Sequence, residues 1–235
     1  MTTFVDRPNG CLSPVLVDPV LNDPESIRDM ATKNGPYFMP ARYLVSGGSA
    51  DSAGDNSKQR DVEVPDYLVG PTWRGDWAVG ATPLVDGVDH ILQHQGFTEA
   101  AQMMYDAEVV VPEQIYVNLS TPMPGQGFSH TDLPEFIGID RTNAPGWLLQ
   151  AMGASLLFED VRITIATAVA WFYMGERGFF RYWPNGRDAD SIRHEDMWNT
   201  AVVGDNDYMH HQVERIGPAG VKKPDGLTID SLLDH

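Results

Sequence analysis

A chain of 235 residues, 42% hydrophobic and 21% charged, has enough apolar material for a sizeable core and too little charge for wholesale disorder. Its 33 acidic against 16 basic residues leave a net charge of −17, dispersed rather than in runs, which argues against nucleic acid and anionic membranes as partners. Cys11 is the single cysteine, so no intrachain disulfide can form.

The start of the chain has neither the basic nor the apolar region of a signal peptide, and the longest apolar stretch, residues 163–173, is too short to span a bilayer. A soluble, cytoplasmic protein is expected. The chain reads as one domain over 1–235, with an N-terminal arm and irregular elements over 1–96, a core over 97–217 and a C-terminal tail over 218–235, either whole or truncated. Within the arm, residues 46–57 are small and polar and predict a loop.

Thr98 is placed to cap a helix running to Tyr105. Ile115, Val117 and Leu119 then alternate with Tyr116, Asn118 and Ser120, the period of a half-buried strand, stopped by Pro122-Met123-Pro124-Gly125. Residues 145–152 predict a short helix. From Arg162 to Tyr173, bulky β-branched and aromatic residues alternate with small ones, which predicts a core strand. Further strands are expected at 179–183, 200–203 and 208–216. The many strands and few helices predict a mainly β fold with flanking helices, specifically a double-sheet jelly roll.

The chemistry-bearing pattern is His130-Thr131-Asp132, answered downstream by the pair His210-His211. Two imidazoles and one carboxylate on one side of a metal leave the opposite positions open, an arrangement suited to non-haem Fe(II) centres that activate O₂. His130 and Asp132 are two residues apart and share one side of an extended segment. Strand parity selects the third ligand: Met209, His211, Val213 and Arg215 share a face, and the apolar members mark it as the inner one. His211 is therefore the expected ligand and His210 its outward neighbour. His90 and His94 have the i, i+4 spacing of ligands on a helix, but no Glu accompanies them in the H-E-x-x-H manner, so structural roles are expected. Phe180, Tyr182 and Trp183 are read as packing residues before pocket-lining ones.

The stretch from about Ile115 to Gly217 resembles the Fe(II)/2-oxoglutarate-dependent dioxygenase superfamily. The resemblance rests on residues 124–132 leading into the first two ligands, on Gly178-Phe179-Phe180-Arg181-Tyr182-Trp183-Pro184, and on His211-Gln212-Val213. It implies a double-stranded β-helix, which is the cupin-like jelly roll. It further implies Fe(II) held by His130, Asp132 and His211, with 2-oxoglutarate and O₂ as cosubstrates, release of succinate and CO₂, and oxidation of a small-molecule substrate. Asp132 stands where halogenating relatives carry a small residue, so the resemblance implies hydroxylation.

Relatives place a basic residue about ten positions beyond the second His, to pair with the far carboxylate of 2-oxoglutarate. Here Lys222 has that offset in poor strand text, while Arg215 shares the strand face of His211 and is the preferred candidate. Tyr116 and Asn118 are further candidates for the cosubstrate's surroundings. Two other classes stay open: a jelly-roll binding or structural protein with a vestigial metal site, and a cupin-like metalloenzyme that does not use 2-oxoglutarate.

Overall fold

The computed structural model describes residues 11–45, 70–124, 129–141 and 143–234. The expected loop at 46–57 and the turn residues 125–128 lie outside them. The first half of the chain forms β1 (Val15–Val17), α1 (Glu25–Lys33), β2 (Tyr37–Phe38), α2 (Pro40–Val45), β3 (Thr72–Val79), β4 (Thr82–Pro83), α3 (Asp89–Leu92), α4 (Gln95–Tyr105) and β5 (Ile115–Ser120). The second half forms α5 (Gly146–Ser155), β6 (Thr167–Phe172), β7 (Phe180–Trp183), β8 (Ile192–His194), β9 (Trp198–Gly204), β10 (His210–Val213) and β11 (Leu232–Leu233).

The fold is mainly β, in three antiparallel sheets with few helices. In the first sheet β9 lies between β1 and β6, and in the second β7 lies between β10 and β8. In the third, β3 carries β5 along one edge and β2 and β4 along the other, with β11 beyond β2. The region expected to be an irregular arm is thus integral to two sheets: β1 pairs with β9, and β3 pairs with β5 over most of its length.

The β3–β5 ribbon separates an apolar face from a polar one. Trp73 and Gly75 lie opposite Leu119 and Val117, whereas Thr72, Arg74 and Asp76 lie opposite Ser120, Asn118 and Tyr116. On the apolar side Trp77 packs with Ile27, Ala31 and Val88, joined by Val117, Leu119 and by Phe172 of β6. Trp73 packs with Tyr37 and Met39. Burying each such side chain stabilises the fold by about 1.5–3 kcal/mol, so this layer anchors the ribbon and leaves its polar face available.

Gly75 is required by that packing. A Cβ there would lie 2.5 Å from the Cδ1 and Cε1 atoms of Tyr37, whose ring is fully buried and whose hydroxyl donates to the Ala31 carbonyl. Gly75→Ala is expected to destabilise the protein by about 1–3 kcal/mol through overpacking, read as a lowered denaturation midpoint. A midpoint equal to that of the wild type would show that Tyr37 yields freely.

Two boundaries differ from expectation. Helix α4 starts one turn earlier than Thr98, because His94 is its cap: the ring accepts the Phe97 amide at Nδ1, and Nε2 donates to the Val20 carbonyl. The expected strand from Arg162 becomes sheet only at Thr167. The preceding residues are tied elsewhere: Arg162 bridges to Phe136 and the Ile163 amide donates to the Glu135 carbonyl.

Candidate metal centre

Backbone pairing brings the distant histidine to the first. The His130 amide donates to the His211 carbonyl at 3.0 Å, and the His211 amide returns to the His130 carbonyl at 2.9 Å. Residues paired in this way point their side chains to the same face, and the two imidazole rings lie 4.5 Å apart between centroids. Asp132, two residues on, returns to the side of His130. Its amide donates to the Asn206 carbonyl at 2.8 Å, which fastens it to the turn between β9 and β10.

The ligand atoms of His130, Asp132 and His211 all lie within 4.8 Å of one another. Nε2 of His211 is 3.5 Å from Oδ1 of Asp132, and Thr167 donates from Oγ1 to Oδ2 of Asp132 at 3.4 Å. Burial increases from His130 through Asp132 to His211, so the group is seated on protein at one end and open at the other. Met209 and His211 are buried while His210 is only half-buried, in line with the parity that selected His211.

The donor set suits a divalent ion. Nδ1 of His211 donates to the Met209 carbonyl at 3.0 Å, which leaves Nε2 facing Asp132; fixing a ligand's tautomer through its other ring nitrogen is a recurrent feature of metal sites. Burial alone would push the Asp132 carboxyl up, but the hydrogen bond and charge of His211, with the charges of His130 and Arg141, hold it below the ordinary range. Burial pulls His211 down, and the hydrogen bond and charge of Asp132 outweigh it and raise the imidazole. Each shift favours the charged form of its group, so the two support one another across the 3.5 Å contact.

Aromatic side chains wall the inner end. Tyr182 is directly opposite His211 in the β7–β10 register, and the Phe180 ring lies 5.6 Å from His211. Phe180 also meets Trp171 of β6 at 5.1 Å, so the first and second sheets face one another here. Trp183 pairs with His210.

The other candidate residues divide. Tyr116 and Asn118 lie on the polar face of the β3–β5 ribbon beside Asp76 and Arg74. Tyr116 is 39% exposed. Burial nonetheless pushes its phenol up, with the Asp132 carboxylate adding to the rise and Arg74 and Arg141 opposing it.

Arg215 and Lys222 are both solvent-exposed. The parity that aligned Arg215 with His211 fails past Val213. Arg177 and Gly178, which lie opposite that stretch, have left-handed φ values of 63° and 76°. The alternation is broken there, so Ile216 is buried while Arg215 faces solvent. His90 and His94 belong to no single helix face. His90 contacts the Gly87 carbonyl through Nδ1, and His94 caps α4 through Nδ1 while its Nε2 meets the Val20 carbonyl.

Several supporting residues carry no obvious motif. Asp205 accepts the amides of Leu12, Tyr208 and Met209 and the Tyr105 hydroxyl through its side-chain and carbonyl oxygens. Asp207 meets Arg162 at 2.9 Å, both almost fully buried. This buried network holds the turn whose Asn206 carbonyl binds Asp132. Arg74 and Asp76 alternate with Trp73 and Trp77 in β3, within the stretch expected to be irregular.

The chain matches no protein-family model, no curated protein and no solved structure. Among the described residues no helix is long and apolar enough to cross a membrane.

Proposed function

We propose that the chain is an Fe(II)- and 2-oxoglutarate-dependent oxygenase that hydroxylates a small molecule. The observation that carries this reading is the His130–His211 backbone pair with Asp132 beside it, two imidazoles and a carboxylate converging from one side. The sheet arrangement supports a double-stranded β-helix. His130 extends the second sheet to the order His130, β10, β7, β8, and that layer faces the first sheet through Phe180 and Trp171.

Fe(II) with 2-oxoglutarate and O₂ would supply the oxidation, yielding succinate, CO₂ and a hydroxylated product. The chain's own part is positional. His130, Asp132 and His211 would hold the ion from one side, and the Met209 carbonyl keeps Nε2 of His211 turned to it. Thr167 and the Asn206 carbonyl keep Asp132 in place. Phe180 and Tyr182 exclude water from the inner side. A carboxylate at position 132 occupies the place that a halide would need, which favours hydroxylation over halogenation.

A cupin-like metalloenzyme that does not use 2-oxoglutarate is the second reading, favoured by the exposure of Arg215 and Lys222. Anaerobic addition of 2-oxoglutarate to the Fe(II)-loaded protein separates the two. The first reading expects a visible metal-to-ligand charge-transfer band, and succinate once O₂ and substrate are admitted. Tight Fe(II) binding without the band favours the second reading, and failure to bind divalent metal sinks both.

A further inference from the structure

Asp132 is gripped by two segments of the chain, and one phenol joins them. The turn after β9 takes its amide, which donates to the Asn206 carbonyl at 2.8 Å. The start of β6 takes its carboxylate, where Thr167 donates from Oγ1 to Oδ2 at 3.4 Å. Thr167 and Gly204 are the end pair of the β6–β9 ladder. Beyond them the two chains are bridged by Tyr105, the last residue of α4. Its hydroxyl lies 2.7 Å from the Ile165 carbonyl and 2.9 Å from Oδ1 of Asp205. A side chain from outside both segments thus closes the open end of the ladder.

The turn that Tyr105 holds is built to pass the restraint on. Asp205 is fully buried and Asn206 nearly so. Oδ2 of Asp205 accepts the Leu12 amide at 3.2 Å, and its carbonyl accepts the amides of Tyr208 and Met209 at 3.0 and 2.7 Å. A Cβ on Gly204 would lie 2.7 Å from both Oδ1 of Asn206 and Cε of Met209, so the turn closes directly over that glycine. Packed this closely, the turn has little room to absorb a shift at Asp205 within itself. The shift reaches the Asn206 carbonyl, which holds Asp132, and the Met209 carbonyl, which accepts Nδ1 of His211.

We infer that Tyr105 is a positioning residue for the candidate metal centre, its hydroxyl locking the Asp205 turn to the start of β6 so that the two holds on Asp132 stay in register. That Asp132 is a metal ligand rests on the oxygenase reading; that Tyr105 sets its place does not. Ligands must be held to a fraction of an ångström, and their outer partners are worth roughly 10–100-fold in metal affinity. Removing the hydroxyl takes away the donor that the Ile165 carbonyl and the buried Asp205 carboxylate share, and a buried acceptor that loses its donor is costly.

Tyr105→Phe removes one oxygen and keeps the ring. In metal-free protein, amide hydrogen exchange followed by NMR is expected to quicken about tenfold more at Asp132 than at the amides of β3. In Co(II)-loaded protein, affinity measured by chelator competition falls about tenfold, and the ligand-field bands at saturation shift. Gly75→Ala is the control for general destabilisation: it lowers the denaturation midpoint from the third sheet, gives Asp132 no excess exchange over β3 and leaves the Co(II) bands in place. Asp205→Ala removes the other end of the contact and is expected to reproduce the Tyr105→Phe pattern; where it does not fold, Tyr105→Phe decides alone. The inference is overturned if Tyr105→Phe leaves the Asp132 amide at its wild-type rate, if it speeds Asp132 and β3 by the same factor, or if Co(II) binds with unchanged affinity and bands. Wild-type protein that binds no Co(II) sinks the metal reading alone, and the exchange rates then decide whether Tyr105 positions Asp132.

Discussion

Asp132→Ala is expected to weaken Fe(II) binding by more than about 100-fold and to abolish the charge-transfer band with 2-oxoglutarate. Outer partners of metal ligands are themselves worth roughly 10–100-fold in affinity, and Asp132 is the only carboxylate in the triad. Its removal leaves two imidazoles with no negative ligand to offset the ion's charge. The fold should survive, since the Asp132 side chain is 31% exposed and its structural bond to Asn206 runs through the backbone amide. Chelator competition measures the affinity, and the histidine pair supplies the internal control. His211→Ala should lose the metal as Asp132→Ala does, whereas His210→Ala should keep it, because residue 210 faces away from His130. Metal binding unchanged in Asp132→Ala, or lost in His210→Ala and kept in His211→Ala, would show that the ligand set is wrong.

What could be read from the sequence was what a local period encodes. Strand β5 follows from the alternation between Ile115 and Ser120, and the choice of His211 over His210 follows from the apolar residues either side of it. Parity failed at Arg215, where the left-handed backbone of Arg177 and Gly178 on the neighbouring strand breaks the alternation. Nothing in the text around Arg215 announces that change. Strand β3 escaped because its alternation is carried by Trp73 and Trp77 around Gly75, and that glycine looks like a breaker until Tyr37 is seen lying against it. Arg162 was misread for a related reason. It begins an apolar run but is held by long-range partners, Asp207 and Phe136, which no window around it contains. The metal ligands were therefore legible, while the long-range ties of Arg162 were not.

Arg162→Ala is expected to destabilise the protein, by about 3–5 kcal/mol where Asp207 is ionised, the cost of leaving buried charge without its partner. The guanidinium donates from Nη1 to Glu159, from Nε to the Asp207 carboxylate at 3.0 Å and from Nη2 to the Asp207 carbonyl at 3.1 Å, and it lies 3.8 Å from the centre of the Tyr208 ring. Burial pushes the Asp207 carboxyl up to about 7, with Arg162 opposing the rise and Asp205 adding to it. A carboxyl raised from 3.8 takes up a proton on folding, so this group's contribution to stability falls as pH rises from about 4 and levels off above about 7 in the wild type. Without Arg162 the opposing pull is gone, the carboxyl rises further, and the fall continues into alkaline pH. The difference between variant and wild type should therefore widen from about pH 6 to about pH 9 in urea denaturation. A constant difference would mean that Arg162 acts by packing on Tyr208 and not by its charge. The same substitution should loosen the turn whose Asn206 carbonyl holds the Asp132 amide. Fe(II) affinity should then fall together with stability, even though Arg162 touches no ligand.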